Sequence, residues 1–401
     1  MQNLEDVQIH MKNIDYLIGD ENINVRPLPV FSAEVCSFLN ELSSVILKSP
    51  AARQYSDLSA VAFWCRKANI DKKKSIVNDY DNRLGRGLCF HIAPSNIPIN
   101  FAFSFFFSLL AGNANIVRIP SKNFEQVNVL ITFIKEVLEK HLEIKERTAF
   151  VKFERDNEIS EHFSMMADAR MIWGGDKTIG IMRNLKTKPR CVDIAFADRY
   201  SICMIDAEKV LSLDDSKLER LSENFYNDTF LMDQNACSSP QMIYWINDNE
   251  QGRITFWNAV EKTAKKKYQL QDAVCVDKYT KACEDSINSS DIIDKIMYED
   301  NYLYRCEIKE IIPEVENLRG KCGYFYEYSL SNFNELFDVV NAKYQTVTYF
   351  GLDPEKLLQA VVEKKLVGID RIVPIGKAMD IDAIWDGHNL IAELSRIIHI
   401  E

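Results

Sequence analysis

Residues 88–120 read LCFHIAPSNIPINFAFSFFFSLLAGNANIVRIP, and this stretch decides the fold. Its first five residues, 88–92, form a short apolar run, which is the pattern of a strand buried on both faces. A helix is predicted over residues 99–110, and a second strand over residues 115–119. Together they form one strand–helix–strand unit, about the minimum length for a right-handed parallel crossover.

The same alternation continues toward residue 206. Asn123 is predicted to cap the next helix, because Gln126 follows three residues later as in a capping box. Further strands are predicted over 148–153, 170–173, 191–196 and 201–205, and further helices over 158–167 and 177–185. Helices that alternate with buried strands indicate an α/β protein with a doubly wound parallel sheet.

The chain has 401 residues, which is too long for one simple core. We predict that residues 1–206 hold an N-terminal region and a nucleotide-binding domain, joined by the tail 376–401. Residues 207–375 again mix helical and strand patterns, and are predicted to form a second α/β domain that carries the catalytic cysteine.

Charge and cysteine content exclude several classes of function. The formal net charge of -11 argues against nucleic acid as a partner. The ten cysteines form no CxxC pair and no zinc-type cluster, so no metal site is predicted. Scattered thiols without an export signal indicate a reducing cytoplasm. The uncharged stretch 92–117 is broken by prolines and asparagines, so no membrane span is expected.

Three segments are predicted at the carboxyl ends of the strands, where an open parallel sheet binds ligands. They are Pro94-Ser95-Asn96, Arg118–Lys122 and Gly174–Thr178. Gly174 and Gly175 precede a helix and could present backbone amides to a phosphate, although such a pair is also a common strand-to-helix turn. An ordinary GxGxxG dinucleotide fingerprint is absent.

Cys237 stands apart from the other cysteines. It lies in DQNACSSP, residues 233–240, a polar segment between a predicted helix and a predicted strand. An accessible cysteine flanked by hydrogen-bond donors favours a reactive thiolate. On this context alone, a loop cysteine without a role is an equal alternative.

Taken together, these residues resemble the aldehyde dehydrogenase superfamily, and within it the acyl-CoA reductase family that supplies fatty aldehyde in bacterial bioluminescence. The resemblance covers about residues 80–401 and implies an aldehyde-dehydrogenase-like fold. It rests on HIAPSNIP at 91–98, the stretch 112–122, QNACSSP at 234–240, GIDR at 368–371 and WDG at 385–387.

The resemblance implies a role for each candidate residue. Cys237 matches the nucleophile, and Asn96 matches the side chain that completes the oxyanion hole with the backbone N–H of Cys237. Arg118 falls where the superfamily has a lysine that reaches the adenosine ribose. The remaining candidates are expected beside the cofactor, and they are Pro94, Ser95, Lys122, Gly174, Gly175 and Asp176.

Two departures from the superfamily pattern refine these expectations. Oxidising members carry a glutamate that activates water, but the corresponding stretch, 191–198, contains no glutamate, and its nearest carboxylate is Asp193. Lys122 stands where NAD-preferring relatives tend to have an acidic residue, and a lysine would suit the 2′-phosphate of NADP. NADPH is therefore the expected cofactor, with NADH as the alternative.

The resemblance implies reduction of an acyl thioester, from acyl-CoA or acyl carrier protein, to an aldehyde through an acyl-cysteine. It also implies a homo-oligomer and an acyl-activating partner enzyme. Three alternatives stay open: a cysteine-dependent acyltransferase without reduction, an oxidising aldehyde dehydrogenase, and a non-catalytic scaffold that binds an acyl carrier protein.

Overall fold

The computed structural model describes residues 13–77, 79–94, 97–332 and 334–401. The chain divides into two compact units. The first ends at Ala197 and is completed by Ile381–Glu401, and the second spans Asp198–Asp380. The first boundary differs from the predicted one at 206 because the strand at 200–206 pairs within the sheet of the second unit. The second differs from the predicted one at 376 because Gly376 and Ala378 donate to Asp228 of the second unit.

The first unit begins with a short strand and a set of helices, followed by alternating strands and helices. Its elements before residue 198 are β1 (Asp15–Ile18), α1 (Ala33–Lys48), α2 (Ala51–Gln54), α3 (Ser56–Trp64), α4 (Lys67–Ile76), β2 (Arg83–Gly85), β3 (Leu88–Ile92), α5 (Asn100–Leu110), β4 (Ala114–Arg118), α6 (Glu125–Leu138), α7 (Leu142–Lys145), β5 (Thr148–Lys152), α8 (Asn157–Met166), β6 (Ala169–Trp173), α9 (Asp176–Arg183) and β7 (Val192–Phe196).

The second unit mixes strands and helices in the same way. Its elements are β8 (Tyr200–Asp206), α10 (Ala207–Leu211), α11 (Asp215–Thr229), β9 (Pro240–Ile246), α12 (Glu250–Lys267), α13 (Asp272–Asn288), β10 (Ile293–Met297), β11 (Tyr304–Ile308), β12 (Tyr324–Ser329), α14 (Asn334–Phe337), β13 (Tyr344–Phe350), α15 (Pro354–Glu363) and β14 (Arg371–Pro374).

The tail from Ile381 belongs to the first unit. It contains β15 (Ile384–Trp385), β16 (His388–Asn389), α16 (Leu390–Glu393) and β17 (Ser395–Ile397). Strand β17 pairs antiparallel with β2, with Ser395 opposite Gly85.

The sheet of the first unit has the strand order β1-β5-β4-β3-β6-β7. β1 pairs antiparallel with β5, and the other four pairings are parallel. All five residues of β3 are buried, as expected for a central strand covered on both faces. The predicted doubly wound parallel sheet is therefore confirmed, with β3 at its predicted bounds.

The sheet of the second unit has the order β10-β11-β12-β9-β8-β13-β14. β10 pairs antiparallel with β11, and the remaining pairings are parallel. The central strands β8 and β9 are buried along their whole length. The second region is thus an α/β unit of its own, as predicted.

His91 on β3 is a structural residue. Its ring is fully buried, with Nδ1 at 2.8 Å from the Ser104 hydroxyl and Nε2 at 2.9 Å from Oδ1 of Asn115. Burial lowers the pKa of His91 to about 4, so the ring is neutral at physiological pH. A buried polar ring with both nitrogens bonded stabilises the strand rather than exchanging protons with a substrate.

The phenylalanines of α5 form part of the core beside β3. Phe101, Phe105 and Phe106 are fully buried. Phe107 lies edge-on to Trp64 of α3, with ring centroids 5.0 Å apart. Large aromatic side chains contribute strongly to such cores through the apolar area that they bury.

The predicted cap of α6 is wrong. The N-cap residue is Phe124, which has an extended backbone and no side-chain capping bond. The Asn123 side chain instead accepts a hydrogen bond from the side chain of Asn128, at 3.2 Å. Within the described part of the chain, no helix has the length and apolar character needed to cross a membrane.

Gly112 makes a close backbone crossing after α5. Its φ is +88°, and a Cβ atom there would lie 2.1 Å from the carbonyl oxygen of Leu28. The Leu28 N–H donates to the Gly112 carbonyl at 2.8 Å, so the two segments cannot separate without losing that bond. We therefore expect Gly112→Ala to lower the free energy of unfolding by at least about 2 kcal/mol, measured by urea unfolding.

Gly180 provides the matched control. It lies inside α9, and a Cβ atom there would meet no other heavy atom within 4 Å. Gly180→Ala is expected to raise the free energy of unfolding by about 0.5–1 kcal/mol, because alanine favours a helix interior. A Gly112→Ala variant as stable as the wild type would contradict this account of the crossing.

Candidate functional site

A cavity of about 310 Å³ lies at the carboxyl ends of strands in the first unit. Segments that follow β3, β4, β5 and β6 all contribute to its wall. Its lining residues are Ile92, Ala93, Pro94, Arg118, Ile119, Pro120, Ser121, Arg155, Trp173, Gly174, Gly175 and Thr178. This is the edge at which open parallel sheets bind ligands.

Four of the predicted cofactor-binding residues line this cavity, namely Pro94, Arg118, Gly174 and Gly175. Asp176 is the first residue of α9 and is exposed.

Lys122 is not among the residues that line the cavity. Lys122 is exposed, and its ammonium group lies 5.0 Å from the centre of the Phe124 ring. Ser95 and Asn96 lie outside the described residues, so their predicted roles stay predictions.

Two guanidinium groups belong to the cavity wall. Arg118 is half-buried, donates to the Phe153 carbonyl at 3.3 Å, and lies 4.4 Å from the Phe153 ring centroid. Burial, together with the nearby charge of Arg155, lowers the pKa of Arg118. Two cations at one wall create a positive potential that would attract an anionic ligand group.

Sequence reasoning missed Arg155. It follows a predicted strand by two residues, so a survey of the residues after every strand would have included it. It belongs to no motif, and only the parallel pairing of β4 with β5 brings it to the wall that contains Arg118.

The turn between β6 and α9 presents backbone amides. Gly175 is the N-cap of α9 without a side-chain cap, and a Cβ atom on it would meet nothing within 4 Å. The first N–H groups of a helix have no acceptor within the helix and carry partial positive charge. This turn is therefore suited to bind a phosphate.

Cys237 lies in the second unit, immediately before β9. The loop begins with two residues in left-handed conformations, Asp233 at φ 51° and Gln234 at φ 57°. Such conformations are uncommon for residues other than glycine and persist only where the surroundings fix them. Cys237 itself is partly exposed.

The side chain of Gln234 fixes this loop. It is buried, and its carbonyl oxygen accepts from the backbone N–H groups of Gly323 at 2.7 Å and Tyr324 at 3.2 Å. Its amide nitrogen donates to the Tyr324 carbonyl at 3.2 Å. Gln241 donates to the Gln234 carbonyl at 2.9 Å. The loop before Cys237 is therefore attached to the start of β12 and to β9.

Two further contacts hold Cys237 directly. The Ser201 hydroxyl donates to the Cys237 carbonyl at 2.6 Å. The side-chain amide of Gln345 lies 3.5 Å from Sγ of Cys237, within hydrogen-bonding range for sulfur. Both contacts were missed by sequence reasoning, because neither residue lies in a recognisable motif.

Several other cysteines, unlike the partly exposed Cys237, are buried in the core. Cys65, Cys89, Cys203 and Cys306 are buried, and burial raises the pKa of each thiol, that of Cys89 to about 12. A thiol with a raised pKa is protonated at neutral pH and is a poor nucleophile. Across the described positions, no group of three His, Cys, Asp or Glu side chains could hold a metal ion.

Asp228 holds the loop of residues 376–379, which lies beside Ser238. Its buried carboxylate accepts from the backbone N–H groups of Gly376 at 2.6 Å and Ala378 at 2.9 Å. Met379 follows, and its sulfur lies 3.9 Å from the Ser238 hydroxyl. Burial is the main cause that raises the pKa of Asp228 to about 7.

The raised pKa of Asp228 gives a test by pH. Its unfolded-state pKa is near 4, so between pH 4 and about 7 the folded state binds more protons than the unfolded state. The stability of the wild type relative to Asp228→Asn should therefore fall as pH rises through this window, by up to about 1.4 kcal/mol per pH unit.

Urea unfolding at a series of pH values measures this slope. Asp215→Asn, at the exposed start of the same helix, is the matched control and should follow the wild type. A relative stability that is flat between pH 4 and 7 would show that Asp228 does not titrate in this way.

Comparison with known proteins identifies a family and a fold. The family model described as acyl-CoA reductase (LuxC) matches residues 64–306, which is more than half of the chain. The long-chain acyl-protein thioester reductase of Aliivibrio fischeri is 25% identical over 316 residues, which cover 74% of this chain and 61% of that protein. The protein of the same name from Vibrio harveyi is 22% identical over 337 residues, with 80% and 64% covered.

The chain therefore spans less than two thirds of the length of these curated relatives. Among solved structures, aldehyde dehydrogenase 21 from Physcomitrella patens superimposes with a TM-score of 0.59 at 14% identity, covering 90% of this chain and 84% of that one. This likeness shows an aldehyde dehydrogenase fold, as predicted. From the match over residues 64–306, the chain belongs to the acyl-CoA reductase (LuxC) family.

Proposed function

We propose that this protein reduces an acyl thioester to an aldehyde, with Cys237 as the nucleophile and NADPH as the hydride donor. The observation that carries the proposal is the Cys237 loop, in which the Gln234 side chain and the Ser201 hydroxyl fix the backbone beside a partly exposed thiol. Membership of the acyl-CoA reductase family and the names of the two curated relatives support the same reaction.

The proposed role of Cys237 is to accept the acyl group. Its thiolate attacks the thioester carbonyl, a new carbon–sulfur bond forms, and the carbonyl electron pair moves to oxygen. When the carbonyl re-forms, the original carbon–sulfur bond breaks and the substrate thiolate leaves. Donors near the oxygen stabilise its transient charge, and removal of one such donor typically lowers the rate by about 10²–10³. The resemblance assigns this role to Asn96 and the Cys237 amide.

The proposed substrate is an acyl-CoA or an acyl group carried on a protein. The curated relatives are named for long-chain acyl-protein thioesters, which supports the second form. Thiolates are good leaving groups, so neither form requires a strong general base for this step. We also propose, from the resemblance, a homo-oligomer and an acyl-activating partner enzyme, and, from the scattered thiols, a cytoplasmic location.

The cavity of the first unit fits part of a nicotinamide dinucleotide. The amides after Gly175 suit its pyrophosphate, and the two guanidinium groups suit an additional phosphate. When bound, the reduced nicotinamide supplies the hydride that converts the acyl group to the aldehyde level. We propose that Arg155, together with Arg118, binds the 2′-phosphate of NADPH in place of the role predicted for Lys122.

The environment of Asp193 supports reduction over oxidation. Its two carboxylate oxygens accept from the Arg170 guanidinium at 2.7 and 2.6 Å. A carboxylate whose two oxygens both accept from one guanidinium is poorly placed to activate water. The oxidising aldehyde dehydrogenase alternative therefore lacks its base in this stretch. A nucleotide cavity would be unnecessary in an acyltransferase that performs no reduction.

Removal of the nucleophile tests the proposed reaction. With long-chain acyl-CoA and NADPH, we expect the wild type to oxidise the cofactor and Cys237→Ala to lose at least roughly 10³-fold in rate. The absorbance of the reduced cofactor measures this, and Cys283→Ala, which removes an exposed cysteine on α13, is the matched control. Equal rates in Cys237→Ala and the wild type would remove Cys237 from the reaction.

Cofactor choice is tested by Arg155→Ala. We expect the KM for NADPH to rise about 10–100-fold, because a hydrogen bond between charged groups is lost, while the KM for NADH changes little. Lys122→Ala is the comparison variant and should change neither constant, because its side chain is exposed and directed to Phe124. A raised KM for NADPH in Lys122→Ala, with an unchanged KM in Arg155→Ala, would favour the role of Lys122 that the sequence predicts.

A further inference from the structure

We infer that Gln345 is a further catalytic residue, whose side-chain amide donates a hydrogen bond to the Cys237 thiolate and stabilises it. The inference rests on the proposed function, because it concerns the atom that attacks the thioester. It adds a group that neither the sequence motifs nor the family resemblance identifies.

The position of the Gln345 side chain supports this role. Its amide nitrogen lies 3.5 Å from Sγ of Cys237, and the residue is 2% exposed. The Thr346 hydroxyl donates to the amide oxygen of Gln345 at 3.4 Å. Because that oxygen is engaged by a donor, the NH₂ group is the end of the amide that faces the sulfur.

An irregularity in the sheet directs Gln345 to this place. The pairing between β13 and β8 shifts register between Tyr344 and Val347, the interval that contains Gln345. Register shifts of this kind reorient side chains and are frequent beside active sites. The backbone carbonyl of Gln345 also accepts from the Asp370 N–H at 2.9 Å, which fixes the displaced segment.

The same two strands hold the backbone of Cys237. The Thr346 N–H donates to the Ser201 hydroxyl at 3.2 Å, and that hydroxyl donates to the Cys237 carbonyl at 2.6 Å. β8 also shifts register with β9 between Ser201 and Ile202. The distance between the Gln345 amide and Sγ of Cys237 is therefore fixed by β8 and β13, to which the Cys237 backbone is hydrogen-bonded.

An amide N–H suits this sulfur chemically. It donates to an anion but cannot remove a proton at physiological pH, so it stabilises the thiolate without acting as a base. The bond weakens when the sulfur shares its charge with the acyl carbon. It strengthens again when the carbon–sulfur bond breaks, the electron pair returns to sulfur and the aldehyde is released. Gln345 would thus favour both the resting thiolate and its departure.

The test measures the alkylation of Cys237 by iodoacetamide as a function of pH, in the full-length protein without substrate. Mass spectrometry of the Cys237 peptide separates it from the other nine cysteines. In Gln345→Met, which keeps the length but cannot donate, the midpoint pH should rise by about one to two units. In the isosteric Gln345→Glu it should rise at least as far, because a carboxylate adds a negative charge.

Thr348→Val is the matched control. It removes a buried hydroxyl from the same strand, whose hydrogen bond goes to the Ile202 carbonyl at 3.4 Å, and it keeps the shape of the side chain. Its midpoint should equal that of the wild type. A purely structural role for Gln345 would give similar losses of stability in the Met and Val variants with no shift of midpoint.

The outcomes separate this inference from the proposed function. An unshifted midpoint in both Gln345 variants of an enzyme that still reduces acyl thioesters would overturn the role of Gln345 alone. A shifted midpoint in a protein that oxidises no cofactor with any acyl thioester would support the thiolate contact and overturn the reductase proposal. If Gln345→Met does not fold, Gln345→Leu, which is also neutral and cannot donate, decides the question.

Discussion

Parallel pairing of neighbouring strands is the constraint on which both units depend. A connection between two parallel strands must run back from the end of one strand to the start of the next, usually as a helix packed on the sheet. Helices therefore cover both faces, and the central strands are buried. Polar side chains that bind ligands or react are then confined to the segments where strands begin or end. In the first unit the carboxyl edge forms the cavity, and in the second the amino edge holds the Cys237 loop and the start of β13.

The central strands of the first unit could be predicted because their signal is local. The apolar run at 88–92 is found as β3 with the same bounds, and the predicted strand at 170–173 is one residue short of β6. The strand predicted at 201–205 also exists, but its sheet was predicted wrongly. Sheet membership depends on partners such as β9 and β13, which lie far along the chain and carry no local signal.

The residues of the candidate site also differ in whether a local sequence signal identifies them. Cys237 could be selected from its polar segment and from the family resemblance, and Arg118 and the glycine pair from their places after strands. Arg155 also follows a predicted strand, but only the pairing of β4 with β5 places it beside Arg118. Gln345 acquires its proposed role through a register shift that no local pattern shows. Asn123 is the reverse case, in which a local pattern predicted a role that the structure does not show. Its sequence pattern predicted a helix cap, but its side chain accepts a hydrogen bond from Asn128 instead.

Acyl transfer to Cys237 is the central claim, and trapping the acyl-enzyme tests it most directly. The protein would be incubated with long-chain acyl-CoA in the absence of cofactor, digested, and its cysteine peptides analysed by mass spectrometry. The account predicts an acyl adduct on Cys237, and its disappearance with release of an equal amount of aldehyde when NADPH is added. An adduct on another cysteine, or none while aldehyde still forms, would contradict it.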